Sequence, residues 1–197
     1  GLNRADHIIA TQETEAHYFR SICERPVHVI GSIQTLRKRP PRLPRNHTRL
    51  TAGYIGSANP GNRLSIQQLL DALDATPALH AGNFELVLAG PISKLPEYQR
   101  NYVRCVGEIE RIEQLFAEVD CILNPSVGGS GLKIKSVESL AAGMPLVSTE
   151  DGMMGLPTTH PALACSDADG LVLELAKLLD SARLSQLAEA CHQSIVS

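Results

Sequence analysis

Residues 128–145 read Gly-Gly-Ser-Gly-Leu-Lys-Ile-Lys-Ser-Val-Glu-Ser-Leu-Ala-Ala-Gly-Met-Pro, and the chain's chemistry concentrates there. A glycine turn leads into a short helix that carries Lys133 and Lys135 near its start and stops at Gly143-Met144-Pro145. Strand-like runs stand on either side, at 121–124 and 146–149. The turn therefore lies between a strand's carboxyl end and a helix N-terminus, where free N–H groups and the positive end of the helix dipole suit phosphate. The backbone at Gly129, Ser130, Gly131 and Leu132 and the ammonium groups of Lys133 and Lys135 are candidates for that contact. Ile134, Val137 and Ala141 keep helical spacing and are expected to face the core. Glu138 then falls at the edge of this stripe and needs a partner, either Lys135 three residues earlier or a sugar hydroxyl. A rim-exposed Glu–Lys pair beside a structural turn would show the same spacing.

The elements that must position these residues alternate. Strands are expected at 50–55, 84–89, 103–106, 121–124, 146–149 and 162–165. Helices are marked by Ile66, Leu69, Leu70 and Leu73, by Ile112, Leu115, Phe116 and Val119, by the 132–142 segment, by Val172, Leu175, Ala176 and Leu179, and by Leu184, Leu187, Ala188 and Cys191. Ser166 and Asp169 read as a capping box for the fourth of these. Near-continuous apolar strands alternating with helices predict a parallel sheet covered on both faces, a Rossmann-like doubly wound α/β domain over residues 50–197.

The front of the chain does not fit that domain. A strand at 6–10, a helix at 12–22 and a strand at 27–30 cannot bury their own faces, so residues 1–35 read as the edge of another domain. Between them, residues 36–49 hold six of the 18 Lys and Arg residues and three prolines, which predicts a stiff basic linker. It could touch an anionic membrane surface or a nucleotide. With aromatics at 4 %, no tryptophan and a net charge of −3, the chain lacks the exposed rings and basic footprint of a nucleic-acid binder. Five scattered cysteines without a CxxC suit a reducing compartment, so a cytoplasmic location is expected. Cys105, Cys121 and Cys165 sit in apolar runs and are expected to behave as small hydrophobes. No metal-ligand spacing, leader-like stretch or 18-residue apolar run is seen.

Five motifs in order resemble the C-terminal, donor-binding half of family 4 glycosyltransferases, the retaining group with the GT-B fold. They are Gly53-Tyr54-Ile55-Gly56-Ser57 followed by Asn62-Arg63, then Leu86-Val87-Leu88-Ala89-Gly90-Pro91, then Val106-Gly107-Glu108-Ile109, then Val119-Asp120-Cys121-Ile122-Leu123-Asn124-Pro125-Ser126, and finally residues 129–147. The match covers 48 to about 180, and Ala5-Asp6-His7-Ile8-Ile9-Ala10 resembles the last strand of the N-terminal, acceptor-binding domain. The family's larger branch has two glutamates eight positions apart. Glu138 matches the second, and Ser130 stands where the first belongs, which fits the branch with small residues there.

The resemblance implies transfer of a sugar from a UDP- or GDP-sugar to a carbohydrate or lipid-linked acceptor held by the other domain, with retention and with no bound metal or other cofactor. It implies a diphosphate on the 130–132 backbone, Lys133, Lys135 and Arg63, helped by the turn at Gly56, Ser57 and Asn62. Ribose falls to Glu138, and the base to the backbone of Glu108 and Ile109. Glu138 and Lys135 are the best candidates for a catalytic part. A sheet order of 3-2-1-4-5-6 is implied as well, and this stretch of chain alone is expected to transfer nothing. Three other readings remain: a GT-B nucleotide-sugar epimerase, a non-catalytic nucleotide-binding module, and a dinucleotide oxidoreductase. The last would need a GxGxxG after the first strand, and Gly56-Ser57-Ala58-Asn59-Pro60-Gly61 lacks that spacing.

Overall fold

The computed structural model describes residues 1–31, 49–129 and 131–196. Two sheets are present among them. The small one pairs β1 (Ile8–Ala10) in parallel with β2 (Val27–Val29) across helix α1 (Glu13–Ile22). The large one contains β3 (Leu50–Ile55), β4 (Phe84–Ala89), β5 (Val103–Gly107), β6 (Cys121–Asn124) and β7 (Leu146–Ser148) in the order β5-β4-β3-β6-β7, all parallel. The expected basic linker lies outside the described residues except for Arg49, which pairs with Glu85 at 3.5 Å.

Helices cover the large sheet. They are α2 (Pro60–Asp74), α3 (Pro77–His80), α4 (Ile112–Glu118), α5 (Ile134–Ala141), α6 (Ala168–Lys177) and α7 (Ser181–Val196). α2 packs against α6 and α5 against α7. Ala52, Tyr54, Leu86, Val87, Leu88, Cys121, Ile122, Leu123, Leu146 and Val147 are completely buried. Strands covered on both faces have no polar side to present, which is why their sequences run apolar without alternation. The result is a mixed α/β fold around a doubly wound parallel sheet, as its strand–helix alternation predicts.

Four expectations are corrected. The segment 162–165 is not a sixth strand. Pro161 opens a 3-10 turn, Pro161–Leu163, and the His160 ring accepts from Ala162 N–H at 3.1 Å. Proline fixes φ and offers no donor, so strand pairing shrinks to one bridge between Thr149 and Cys165 beside β7, where the last strand was due. The cap of α6 is Asp167, whose carboxylate accepts from Gly170 N–H, rather than Ser166. Helix α5 turns a different face inward: Ser136, Ser139 and Leu140 are buried, while Ile134 is half exposed. Small hydroxyl residues let the helix lie close to β6, and each satisfies its oxygen locally, Ser139 on Lys135 O at 2.7 Å and Ser136 on Gly152 O at 2.7 Å. Cys105 is exposed on the edge strand β5, whereas Cys121, Cys165 and Cys191 are buried.

Thiol reactivity checks this packing. Burial pushes the Cys165 and Cys191 thiols up to about 12 and raises Cys121 further. In the native chain a water-soluble disulfide reagent is expected to modify Cys105 and, more slowly, half-buried Cys23, leaving Cys121, Cys165 and Cys191 to react only in denaturant. Five thiols reacting at one rate would contradict this core.

Candidate functional site

The sheet order reverses between β3 and β6, whose crossovers leave in opposite directions, so a crevice forms outside their carboxyl ends. Two loops meet there. One follows β3 and enters α2; the other follows β6 and enters α5.

The first loop is stiffened by its own side chains. Asn59 caps α2, its Oδ1 accepting from Asn62 N–H at 2.8 Å, and Pro60 follows with a preset φ. Asn62 Nδ2 donates to Ser57 O at 2.9 Å and to Ser57 Oγ at 3.2 Å. Gly56 lies against the next loop: a Cβ on Gly90 would stand 2.6 Å from Gly56 O, so β3 and β4 can end this close only with glycine at 90.

The second loop has positive φ at Gly128, Gly129 and Gly131 (+67°, +86° and +93°). Asp151 accepts from Gly128 N–H, and Lys133 folds back over the turn, donating to Gly128 O at 3.3 Å. Ser130 lies outside the described residues. Leu132 is half buried at the end of the turn. A buried polar network fixes the start of α5 to the end of β6. Asn124 Nδ2 donates to Ser136 Oγ at 2.7 Å and to Gly152 O at 3.1 Å, and Ser126 Oγ donates to Asn124 Oδ1 at 2.6 Å.

Lys135 joins the two loops. Its Nζ donates to the Tyr54 hydroxyl at 3.0 Å and to Asn62 Oδ1 at 3.5 Å, and sits 4.2 Å from the centre of the Tyr54 ring. It pairs with no carboxylate among the described residues. Burial, with the Lys133 charge in support, lowers its pKa from the ordinary 10.5 to about 8. The first turn of a helix is also the wrong end for a cation. Two ammonium groups, a positive helix end and a glycine turn thus gather in one place, an arrangement that suits a phosphate or diphosphate.

The other candidates fall around this centre. Glu138 is half buried on α5 and does not pair with Lys135; burial raises its pKa, and the nearby Glu113 charge raises it further. Arg63 turns to Glu97 at 2.9 Å, so it is held by a carboxylate of its own. Glu108 follows β5, where Lys94 bonds it at 2.5 Å and holds its carboxyl below the usual range. Ile109 packs half buried against the core. Both share the carboxyl edge with the crevice but lie beyond β4, about three strand spacings or roughly 14 Å from the end of β6. Tyr54, Asn59 and the Asn124–Ser136 network were not singled out from the sequence. Asn59-Pro60 is a readable helix start. A tyrosine within an apolar strand also signals a hydroxyl in need of a partner. Among the described residues no group of three His, Cys, Asp or Glu side chains is placed to hold a metal, and no helix is long and apolar enough to cross a membrane.

The sequence profile described as glycosyl transferases, group 1, matches residues 49–181. The chain belongs to the group 1 glycosyltransferases. No curated protein matches it by sequence. Among solved structures, TarM superposes with a TM-score of 0.75 at 11 % identity over 98 % of this chain and 40 % of that one. Anabaena Alr3699/HepE, solved with UDP and glucose, gives 0.75 at 17 % identity over 97 % of this chain and 59 % of its own. The lipopolysaccharide outer core galactosyltransferase WaaB, in its apo form, gives 0.65 at 17 % over 94 % and 57 %. These likenesses establish a GT-B glycosyltransferase fold, and the chain spans about half the length of such proteins.

The depressed Lys135 pKa has a stability consequence of definite sign. The folded chain holds this proton less tightly than the unfolded one, so parent stability gains from this residue as pH rises from about 8 towards 10.5. The gain is up to about 3 kcal/mol. In urea unfolding at pH 7.5 and pH 10, Lys135→Met is expected to lose this rise relative to the parent. Parallel pH profiles for the two proteins would show that the ammonium is not held in a dry site.

Proposed function

We propose that this glycosyltransferase domain binds a nucleoside-diphosphate sugar, and that the full-length enzyme is a retaining family 4 transferase that passes a hexose to a carbohydrate or lipid-linked acceptor. The observation that carries this reading is Lys135, a half-buried ammonium in the first turn of α5 that bonds Tyr54 and Asn62 and pairs with no carboxylate among the described residues. UDP and UDP-glucose bound to similarly folded HepE support a diphosphate donor.

The chemistry follows from charge. As the bond from the anomeric carbon to the diphosphate breaks, its electron pair leaves with the phosphate oxygen. Lys135, Lys133 and the amides of Gly131 and Leu132 are positioned beforehand for that growing charge, so stabilisation needs little rearrangement. Glu138, whose pKa burial and then the Glu113 charge raise, would bond ribose hydroxyls. The base would lie over β5, against the backbone of Glu108 and Ile109. Residues 1–35 belong, on this reading, to the acceptor-binding domain, with residues 36–49 as the link. A cytoplasmic enzyme working on membrane-linked acceptors, touching the surface through the basic link, fits this role.

Calorimetry with UDP and GDP tests the reading. The 197-residue chain is expected to bind one of them in the presence of a chelator and to transfer no sugar alone. Positioning of the attacking hydroxyl, worth roughly 7–11 kcal/mol, needs the rest of the acceptor domain. Lys135→Ala and Glu138→Ala should each weaken binding about ten- to a hundredfold without unfolding the domain, and Gly131→Val should do more. Unchanged affinity in both alanine variants would overturn the assignment, and loss of binding with the chelator would overturn the metal-free part.

A further inference from the structure

The N-terminal unit reaches the glycine turn. Gln12 stands at the N-cap of α1, yet its side chain caps nothing. The residue is 8 % exposed, and neither its amide nitrogen nor its amide oxygen has a hydrogen-bond partner among the described residues. Its Oε1 lies 2.6 Å from where a Cβ on Gly155 would be, and the Leu132 side chain lies against the same point. One turn on, Glu15 anchors one carboxylate oxygen on Thr11 N–H at 3.0 Å and on the Thr11 hydroxyl. Its other oxygen stands 2.8 Å from where a Cβ on Gly131 would be. A carboxylate from α1 is therefore held against Gly131, whose backbone was assigned to the diphosphate, and an unsatisfied amide from the N-cap of α1 lies against Gly155, near the side chain of Leu132.

A buried amide without partners is costly, and few such groups persist in native proteins without a use. Its use here is narrowed by Glu15. A carboxylate repels phosphate oxygens but accepts from hydroxyls, and an amide beside it both donates and accepts. The part of a nucleotide sugar that follows the phosphates, away from β5, is the hexose ring. We propose that Gln12 and Glu15 form the subsite that reads the hydroxyls of the donor sugar, so that donor selectivity lies in the N-terminal unit rather than in the domain that holds the nucleotide. The inference rests on the diphosphate site proposed above.

The test compares each free nucleotide with its sugar conjugates: UDP against UDP-glucose and UDP-galactose, and GDP against GDP-mannose, titrated into the parent, Gln12→Met and Glu15→Gln. For the nucleotide the parent prefers, free-nucleotide affinity is expected to stay within about twofold in Gln12→Met and not to fall in Glu15→Gln, which removes a negative charge beside the phosphates. Affinity for the preferred conjugate should fall about three- to tenfold in Gln12→Met and about tenfold in Glu15→Gln. Gln12→Met should also melt higher than the parent without ligand, because it removes an unpaired polar group and keeps the volume; a merely structural glutamine would melt lower. Equal losses for free and conjugated nucleotide, or none for either, would overturn the subsite. A parent that binds no nucleotide at all would instead remove the diphosphate reading beneath it, a result the parent titration alone reveals.

Discussion

A buried ammonium without a counter-charge governs the arrangement of this crevice. Holding Lys135 at the positive end of a helix, beside Lys133 and away from water, costs free energy in the empty protein. The surroundings lessen that cost with neutral partners only: the Tyr54 hydroxyl and ring and the Asn62 amide oxygen. A carboxylate would satisfy the lysine better and would also compete with the phosphate. Neutral partners hold the side chain in place and leave its charge uncompensated by any carboxylate among the described residues. The rest of the crevice serves that placement. Tyr54 is fixed in the centre of the sheet, Asn62 is fixed by the Ser57–Asn59 turn, and α5 is fixed by Asn124 and Ser136.

Much of this was legible in the sequence, and the misses share a cause. The five strands of the large sheet were read from apolar runs that no other element type would need. The sixth failed because Pro161 outweighs the apolar residues after it: a missing donor and a fixed φ decide locally what hydrophobicity only permits. Helix α5 was found but rotated. Its Ile134 and Val137 are apolar, yet close approach to β6 is reserved for Ser136 and Ser139, whose oxygens are satisfied within a turn or by Asn124. Periodicity counts greasy residues and is blind to small polar ones that pack better. The Lys135–Glu138 pair failed for a related reason. Spacing of three puts two side chains on neighbouring rows, but Lys135 is drawn inward to Tyr54 while Glu138 faces Glu113.

Gln12 and Glu15 could not have been found by scanning the glycine motif, because they come from another sheet and more than 100 residues away. The sequence marked their segment as foreign to the large domain without saying what it touched. Structure supplies the contact, and the orphaned amide supplies the argument. A polar group buried without a partner resembles Lys135 in kind: both hold interaction capacity that the empty protein does not use.

The two ends of the crevice differ in a way that bears on how a nucleotide sugar is recognised. Where β3 and β6 end, Lys135 and Asn62 are half buried and Tyr54, Asn124 and Ser136 are buried, so contacts among them are shielded from water. At the β5 end the charged side chains, Lys94 and Glu108, are more than half exposed and occupied with each other. An exposed pair of that kind contributes little and is easily exchanged for water. On the proposed reading, discrimination at that end would fall to backbone groups; there Gly90 N–H donates to Gly107 O at 2.7 Å, and Ser93 donates to Gly90 O at 2.7 Å and accepts from Gly107 N–H at 3.1 Å. Backbone donors and acceptors, proline substitutions aside, cannot be removed by substitution, only moved. On the proposed reading, diphosphate binding would tolerate most surface changes at β5. Under that reading, a changed choice of base would require the Gly90–Ser93–Gly107 lock to shift.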